Sequence, residues 1–222
     1  DIDYKITKES VGDILIMIMD NENNLINSYK SIDKNQNIEN YEMSSNEFTF
    51  ISNSNISNMI GVNRFKWDMR HRGSWNKNSR FSYRNGPMAK PGQYKVILTI
   101  DGSSYTENFE IISDPRIKDV TAEVYEEQEK ILLEIRDLMS DVRLFEDKVS
   151  KMIEKKPKNK KYLSIAKELN TKEGTYMQPM MIDQIRYLQS MLSRADQKPG
   201  MDALNRLKEL KSKFNILKNK LG

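Results

Sequence analysis

A chain of 222 residues with a net charge of +4 is long enough to bury one large core or two small ones. It contains no cysteine and one histidine, His71, which excludes thiol nucleophiles, disulfide frameworks and metal sites built on paired histidines. The longest strongly apolar run, Ile14 to Met19, is far shorter than the roughly 20 residues of a membrane-spanning helix, so no membrane span is predicted.

Catalytic signatures are equally scarce. No Gly-x-Ser-x-Gly motif presents a serine nucleophile, and the nine glycines form no phosphate-binding loop. Carboxylate pairs remain possible among the 32 acidic residues, but no motif supports them. We therefore predict that the chain is not an enzyme, with no catalytic residue, no metal and no cofactor. It opens on Asp1 without an initiator methionine, which favours a processed or excised piece of a larger protein.

The first half of the chain shows the alternation of β-strands. Residues Ile14 to Met19 are apolar on both faces, which predicts a central strand, and Leu25 to Tyr29 predicts the returning strand. Residues 31–60, with seven Asn and six Ser, are too polar for a core and predict a long insertion. Val62 to Met69 is the next predicted strand.

The clearest local signal is a hairpin centred on Asp101-Gly102. This pair favours a type I′ turn, because both central residues of that turn have positive φ. Alternating apolar residues flank it on both sides, and short antiparallel strands of this kind over about 110 residues are typical of an immunoglobulin-like sandwich. The flanking residues are Tyr94, Val96, Leu98 and Ile100 before the turn, and Tyr105, Phe109 and Ile111 after it.

The period changes near Asp114-Pro115 to that of helices. Apolar residues recur at steps of four and three from Val124 to Met152, which predicts a helix of about 35 residues. Shorter helices are predicted over Tyr162 to Leu169, Met181 to Ala195 and Ala203 to Leu221. Because no apolar stripe can stay exposed, we expect an antiparallel bundle of three main helices and a short extra one.

The predicted fold class is therefore α+β with two domains. Residues 1–113 form an immunoglobulin-like antiparallel β-sandwich, and residues 114–222 form an antiparallel helical bundle. The first part carries 13 basic and 14 acidic residues and the second 23 and 18, so the positive charge belongs to the helices. A mild excess of this kind is typical of a solvated helix face, and nucleic-acid binding is the weaker interpretation.

The order of motifs over residues 2–116 resembles a known family. The motifs follow one another as Ile2-Asp3-Tyr4, Gly61-Val62-Asn63-Arg64-Phe65-Lys66-Trp67-Asp68-Met69-Arg70, Gly86-Pro87, Pro91-Gly92-Gln93-Tyr94 and Asp114-Pro115-Arg116. They resemble the region after the β-propeller in bacterial sortilin-like or BNR-repeat "glycosyl hydrolase" proteins, and the sandwich is similar to that of flagellar hook-capping proteins. In that family a helical segment follows Asp-Pro-Arg, as it does here.

This resemblance implies a non-catalytic tail of a larger secreted or cell-envelope protein. The expected partner is the β-propeller of the same protein or an envelope protein, and the expected location is extracytoplasmic: secreted, periplasmic or outer-membrane associated. The propeller itself is absent from these 222 residues, so its activity does not carry over. The Asn-, Lys- and Ile-rich composition suits a low-GC organism of the Bacteroidetes type.

The best candidate for a binding site is the loop from Arg70 to Arg84, where arginines alternate with aromatic residues. Such residues stack on sugars or bases, or contact a protein partner; they also pack back onto a core. The alternative function is thus a carbohydrate-binding accessory domain that uses this loop. Its candidate residues are Arg72, Trp75, Arg80, Phe81, Tyr83 and Arg84.

Three further features of the sequence are interpreted in structural terms: Trp67-Asp68, His71 and Asp114-Pro115-Arg116. Trp67 and Asp68 are a possible ligand site, but a core tryptophan and a turn-forming aspartate are the simpler expectation. His71 is expected to be an exposed loop residue. Asp114-Pro115-Arg116 is expected to be a rigid joint between the domains, with Arg116 bonded to a carboxylate or carbonyl.

Overall fold

The computed structural model describes residues 1–9, 13–31, 56–174 and 176–222. Over these residues the chain is α+β, with two antiparallel sheets and four helices. The predicted polar insertion at about 31–60 lies mostly outside the described residues. The elements are β1 (Ile2–Ile6), β2 (Leu15–Asp20), β3 (Leu25–Lys30), β4 (Gly61–Phe65), β5 (Gly92–Ile100), β6 (Ser103–Ile111), α1 (Ala122–Lys155), α2 (Lys160–Leu169), α3 (Met181–Leu192) and α4 (Met201–Leu221).

The chain divides into two compact units. The first comprises Asp1–Arg72 and Arg84–Pro115, and the second comprises Gly73–Tyr83 and Arg116–Gly222. The sequence places a single domain boundary at 113/114, whereas the chain passes between the units three times, at 72/73, 83/84 and 115/116. The difference lies in the loop 73–83, which belongs to the helical unit although it connects two strands of the first.

In the first unit, four strands form a sheet in the order β3-β2-β5-β6. The predicted central strand is confirmed: β2 lies between two neighbours, and Ile16 and Ile18 have no exposed surface. The predicted hairpin is confirmed as well, since β5 and β6 pair through Asp101 and Gly102, whose φ angles are 49° and 78°.

The second sheet pairs β1 with β4, from Ile2 opposite Phe65 to Ile6 opposite Gly61. Buried residues of both sheets form one hydrophobic cluster, in which Tyr4 and Phe65 of the small sheet join Ile16 of the large one. The strand predicted over Val62 to Met69 is shorter than expected: β4 ends at Phe65. Beyond it Asp68 Oδ1 accepts the Arg70 N–H at 3.2 Å, which turns the chain.

In the second unit, α1 spans 34 residues and confirms the long helix predicted from the apolar stripe. The side chain of Asn159 caps α2 by accepting the N–H groups of Lys161 and Tyr162. The helices bury a common core, because each contributes one apolar stripe. Its fully buried members include Ile135, Val142, Ile165, Leu169, Met181, Ile185 and Leu217.

Specific contacts give the path of the helices. Gln128 Nε2 near the start of α1 donates to Leu192 O at the end of α3, at 2.8 Å. Lys211 Nζ of α4 lies 2.6 Å from Glu134 Oε2, and the rings of Phe145 and Phe214 meet edge to face at 5.5 Å. Hence α3 runs against the direction of α1, whereas α4 runs along it.

Candidate functional site

The candidate loop starts and ends in a short neck within the first unit. Arg70 pairs with Met88 as an isolated antiparallel bridge, and Ala89 N–H donates to Met69 O at 2.8 Å. Arg70 Nη1 also donates to Gly86 O at 2.9 Å. Two segments separated by a loop of more than a dozen residues are thus paired like strands, which fixes where the loop leaves and re-enters.

Gly86 is buried where the two sides of the neck are closest. A Cβ atom at this position would lie 2.0 Å from the backbone oxygen of His71 and 2.7 Å from the carbonyl of Arg72. A backbone carbonyl cannot rotate away as a flexible side chain can. The neck therefore requires glycine at position 86, because no side chain fits there.

His71 lies in the same neck, and its predicted exposure is wrong. Only 7% of its surface is accessible, because its backbone N–H donates to Pro87 O at 2.8 Å and draws the residue into the paired segment. The sequence predicted an exposed loop residue at this position. The pairing of residues 69–72 with 86–89 is nonlocal and leaves no periodic signal in so short a stretch.

Residues 73–83 form a closed loop with its own hydrogen bonds. Gly73 N–H donates to Tyr83 O and Tyr83 N–H donates to Ser74 O, both at 2.9 Å. Inside the loop, Asn76 Oδ1 accepts the Asn78 N–H at 2.9 Å, and Ser82 Oγ accepts the Asn76 N–H at 3.0 Å. Short polar side chains accept hydrogen bonds from the backbone N–H groups that no neighbouring strand binds here, as is usual in turns.

Helix α1 binds the backbone of this loop. The Trp75 N–H donates to Ser140 Oγ at 3.0 Å. One turn further on, Arg143 Nη1 donates to Ser74 Oγ at 2.8 Å and to Trp75 O at 3.1 Å. Residues 140 and 143 are three apart and share a face of the helix, so both backbone groups of Trp75 are bonded to the same face.

An ion-pair network continues along that face. Lys77 Nζ lies 3.0 Å from Asp147 Oδ1, and Lys151 Nζ lies 2.7 Å from Asp147 Oδ2. Hydrogen bonds from Lys151 and Lys77 hold the pKa of Asp147 below its ordinary value. Burial lowers the pKa of Arg143, and Arg186 nearby lowers it further. Charged groups in this part of the molecule are thus engaged in binding the loop to the helix.

The predicted site residues differ in exposure and are divided between the two units. Trp75 and Tyr83 are half-buried in the second unit, whereas Arg80 and Phe81 are exposed, with 63% of Phe81 accessible. Arg72, which is half-buried, and Arg84, which is exposed, belong to the first unit. Sequence reasoning missed Ser140, Arg143 and Asp147, because polar residues beside an apolar stripe look like an ordinary solvated helix face.

No protein-family model, curated protein or solved structure matches this chain. The family resemblance therefore rests on the motifs in residues 2–116 alone.

Trp67 and Asp68, the other possible ligand site, have structural roles. The Trp67 ring packs edge-on against Phe109 at 5.9 Å and Tyr94 at 6.3 Å, and its Nε1–H donates to Arg70 O at 3.2 Å. Asp68 accepts the Arg70 N–H as described above. The simpler interpretation of both residues, a tryptophan packed on the core and an aspartate that forms a turn, is confirmed.

A second candidate surface lies on the open side of the first unit. A cavity of about 410 Å³ separates β1 from the β5–β6 hairpin, with Ile2, Leu98, Ile100 and Tyr105 among its lining residues. Among the described residues, β6 is the last strand of its sheet, and residues 103–108 are exposed, including Tyr105 at 61%. An edge strand beside an apolar groove is a feature on which extended segments of other chains bind.

Two searches over the described parts of the chain complete the survey. Among residues 1–9, 13–31, 56–174 and 176–222, no group of three or more acidic or histidine side chains is arranged to bind a metal ion. No helix in the same ranges has the length and apolarity needed to cross a membrane.

Proposed function

We propose that this chain is a structural and protein-interaction module, without catalytic activity of its own, from a larger secreted or cell-envelope protein. Its proposed partner is a β-propeller, in the same polypeptide or in a neighbouring envelope protein. The proposal draws on the motif order in residues 2–116 and on the exposed edge of β6 beside its groove. An extracytoplasmic location follows from the same resemblance.

The finer description of the fold belongs to this proposal. A two-stranded sheet and a four-stranded sheet that share one hydrophobic cluster support an immunoglobulin-like sandwich. Helices α2 and α3 together form the middle member between α1 and α4, which supports an antiparallel bundle of three main helices. In this description the two-stranded β1–β4 sheet is narrower than the four-stranded sheet and does not cover the part of it near β6.

The observation that carries the proposal is the exposed inner surface near β6. Tyr105 and Leu98 are opposite each other in the β5–β6 register, yet Tyr105 is 61% exposed. An extended segment of the partner that pairs with β6 would bond the backbone groups of its outer edge, with which no described strand pairs. Its alternate side chains would also cover Leu98, Ile100 and Tyr105, which extends the core of the sandwich into the interface.

Site-specific cross-linking in the source cells tests this interface. A photo-reactive phenylalanine analogue at Tyr105 is expected to cross-link to a polypeptide segment that contains β-propeller repeats, identified by mass spectrometry. The same analogue at Tyr187 of α3, which is 68% exposed, provides the control. Cross-links at Tyr105 that are no more frequent than at Tyr187, or that join only proteins without a propeller, would contradict the proposal.

The alternative is a carbohydrate-binding accessory domain, and the observation that favours it is Phe81. This aromatic ring is exposed on the loop and follows the exposed Arg80. A glycan that stacks on the ring predicts array binding that falls about tenfold in Phe81→Ala, at roughly 1–2 kcal/mol for one stacking contact. Phe109→Leu, which alters a half-buried ring, is the matched control. Unchanged glycan binding in Phe81→Ala would exclude this function.

A further inference from the structure

Five lysines stand at one end of the helical unit, where α1 ends and α2 begins. We name this group, Lys155, Lys156, Lys158, Lys160 and Lys161, the basic cap. All five residues are exposed, and Glu154 is the one acidic residue within 154–161. Among the ion pairs of the described residues, none involves a lysine of the basic cap.

The last turn of α4 adds positive charge to the same end. A Cβ atom at Gly222 would lie 3.8 Å from Lys161 Nζ, which places this turn beside the cap. Lys218 Nζ lies over the ring of Phe214, 4.7 Å from its centroid, whereas Lys220 Nζ pairs with Glu168 Oε1 at 3.0 Å. Lys220 is therefore neutralised, whereas the exposed Lys218 keeps its positive charge in the same turn.

Helix stability accounts for only part of this group, because a cation is favourable at the C-terminal end of α1, where Lys155 and Lys156 lie, but not at the start of α2. The N-terminal end of a helix carries partial positive charge, so a cation in its first turn is unfavourable. Helix α2 nevertheless begins with Lys160 and Lys161 and has no acidic residue in its first turn. Five like charges within seven residues also repel one another. Elsewhere in the same unit, Lys77 and Lys151 are paired with Asp147.

We propose that the basic cap binds the surface of a membrane that contains anionic phospholipids. This surface is a partner beyond the protein partner proposed above, and the inference does not depend on that proposal. Lysine ammonium groups on flexible stems suit a diffuse layer of negative headgroups, which demands charge without fixed geometry. Leu163, in the first turn of α2, is 36% exposed and offers an apolar contact beside them.

The composition of the cap favours lipid over nucleic acid. Residues 154–161 contain no arginine, the residue whose planar guanidinium recognises phosphates and bases in pairs of hydrogen bonds. The segment has no aromatic residue on which bases could stack, and the neighbouring Tyr162 is half-buried. The cap also lies at helix ends, which present a compact set of charges instead of a groove that follows a strand.

Sedimentation with lipid vesicles tests the proposal on the full chain. Vesicles of equal parts phosphatidylcholine and phosphatidylglycerol are expected to bind it at low salt, and vesicles of phosphatidylcholine alone are not. The variant K156Q/K158Q/K160Q/K161Q is expected to lower the partition coefficient by roughly several hundredfold, because each of the four lysines near an anionic surface contributes roughly fivefold. Added salt should weaken the binding of the unmodified chain.

A second quadruple variant controls for net charge. K118Q/K172Q/K198Q/K208Q removes the same charge from exposed positions of the same unit and is expected to retain most of the binding. The smaller change K160Q/K161Q should raise the thermal stability of the helices while it weakens vesicle binding, since it removes cations from the first turn of α2. Equal losses in both quadruple variants, absent binding to anionic vesicles, or tighter binding to duplex DNA would overturn the proposal.

Discussion

Replacing Gly86 with alanine is expected to lower the free energy of unfolding of the first unit by about 3 kcal/mol or more. The added Cβ would lie 2.0 Å from His71 O, far inside the contact distance, and the atom it meets belongs to the backbone. Relief requires the neck to open, which lengthens the bonds from Arg70 to Gly86 O and from His71 N–H to Pro87 O. The unfolding transition should be followed by Trp67 fluorescence in a Trp75→Phe background.

Gly102→Ala is the matched control, because it adds the same methyl group in open space. Its φ of 78° strains an alanine by about 1 kcal/mol, but no heavy atom lies within 4 Å of the new Cβ. Gly86→Ala should therefore be clearly the more damaging substitution, although the φ angle of Gly86 is not in the left-handed region. An effect of Gly86→Ala equal to or smaller than that of Gly102→Ala would show that the neck is not closely packed.

Elements that depend on local patterns could be predicted from the sequence. The bounds of α1 follow from an apolar stripe repeated over 34 residues, and the β5–β6 hairpin follows from Asp101-Gly102 between alternating apolar residues. In both cases the determining contacts join residues that are close in the chain. The periodicity of the side chains then contains nearly all of the necessary information.

The position of the candidate loop could not be predicted in the same way. Trp75 and Ser140 are 65 residues apart, and the hydrogen bond between them uses the backbone of one and a small hydroxyl of the other. Neither group alters the hydrophobic pattern, so neither carries a signal. The six predicted binding residues were chosen for their side chains, whereas the structure fixes this loop mainly through its backbone.

This difference changes the interpretation of the loop. Its aromatic and basic residues are numerous enough to suggest one ligand site, but Trp75 and Tyr83 are half-buried while Arg80 and Phe81 are exposed. Arg143 and Asp147 of α1, two charged groups with shifted pKa values, contact the loop and bind it. A structural role for most of the loop, with Phe81 left exposed, accounts for both observations.

Substitution of Arg143 by methionine tests that role directly. The change keeps much of the apolar stem but removes the donor to Ser74 Oγ and Trp75 O. Hydrogen bonds from a charged donor contribute about 1.5–3 kcal/mol each, and the burial cost of the charge offsets part of this. The free energy of unfolding of the second unit should therefore fall by about 2 kcal/mol. In a Trp67→Phe background, Trp75 emission should shift to the red as the loop separates from α1.

Arg206→Met distinguishes the loss of these bonds from the loss of a helix arginine. Arg206 lies on α4 and forms an exposed pair with Glu209 at 2.9 Å, so its removal should cost less than about 0.5 kcal/mol and leave Trp75 emission unchanged. Hydrogen exchange gives an independent measure, since the Trp75 N–H, bonded to Ser140 Oγ, should exchange faster in Arg143→Met alone. Lower stability with unchanged emission and exchange at Trp75 would mean that Arg143 supports the helix core and does not hold the loop.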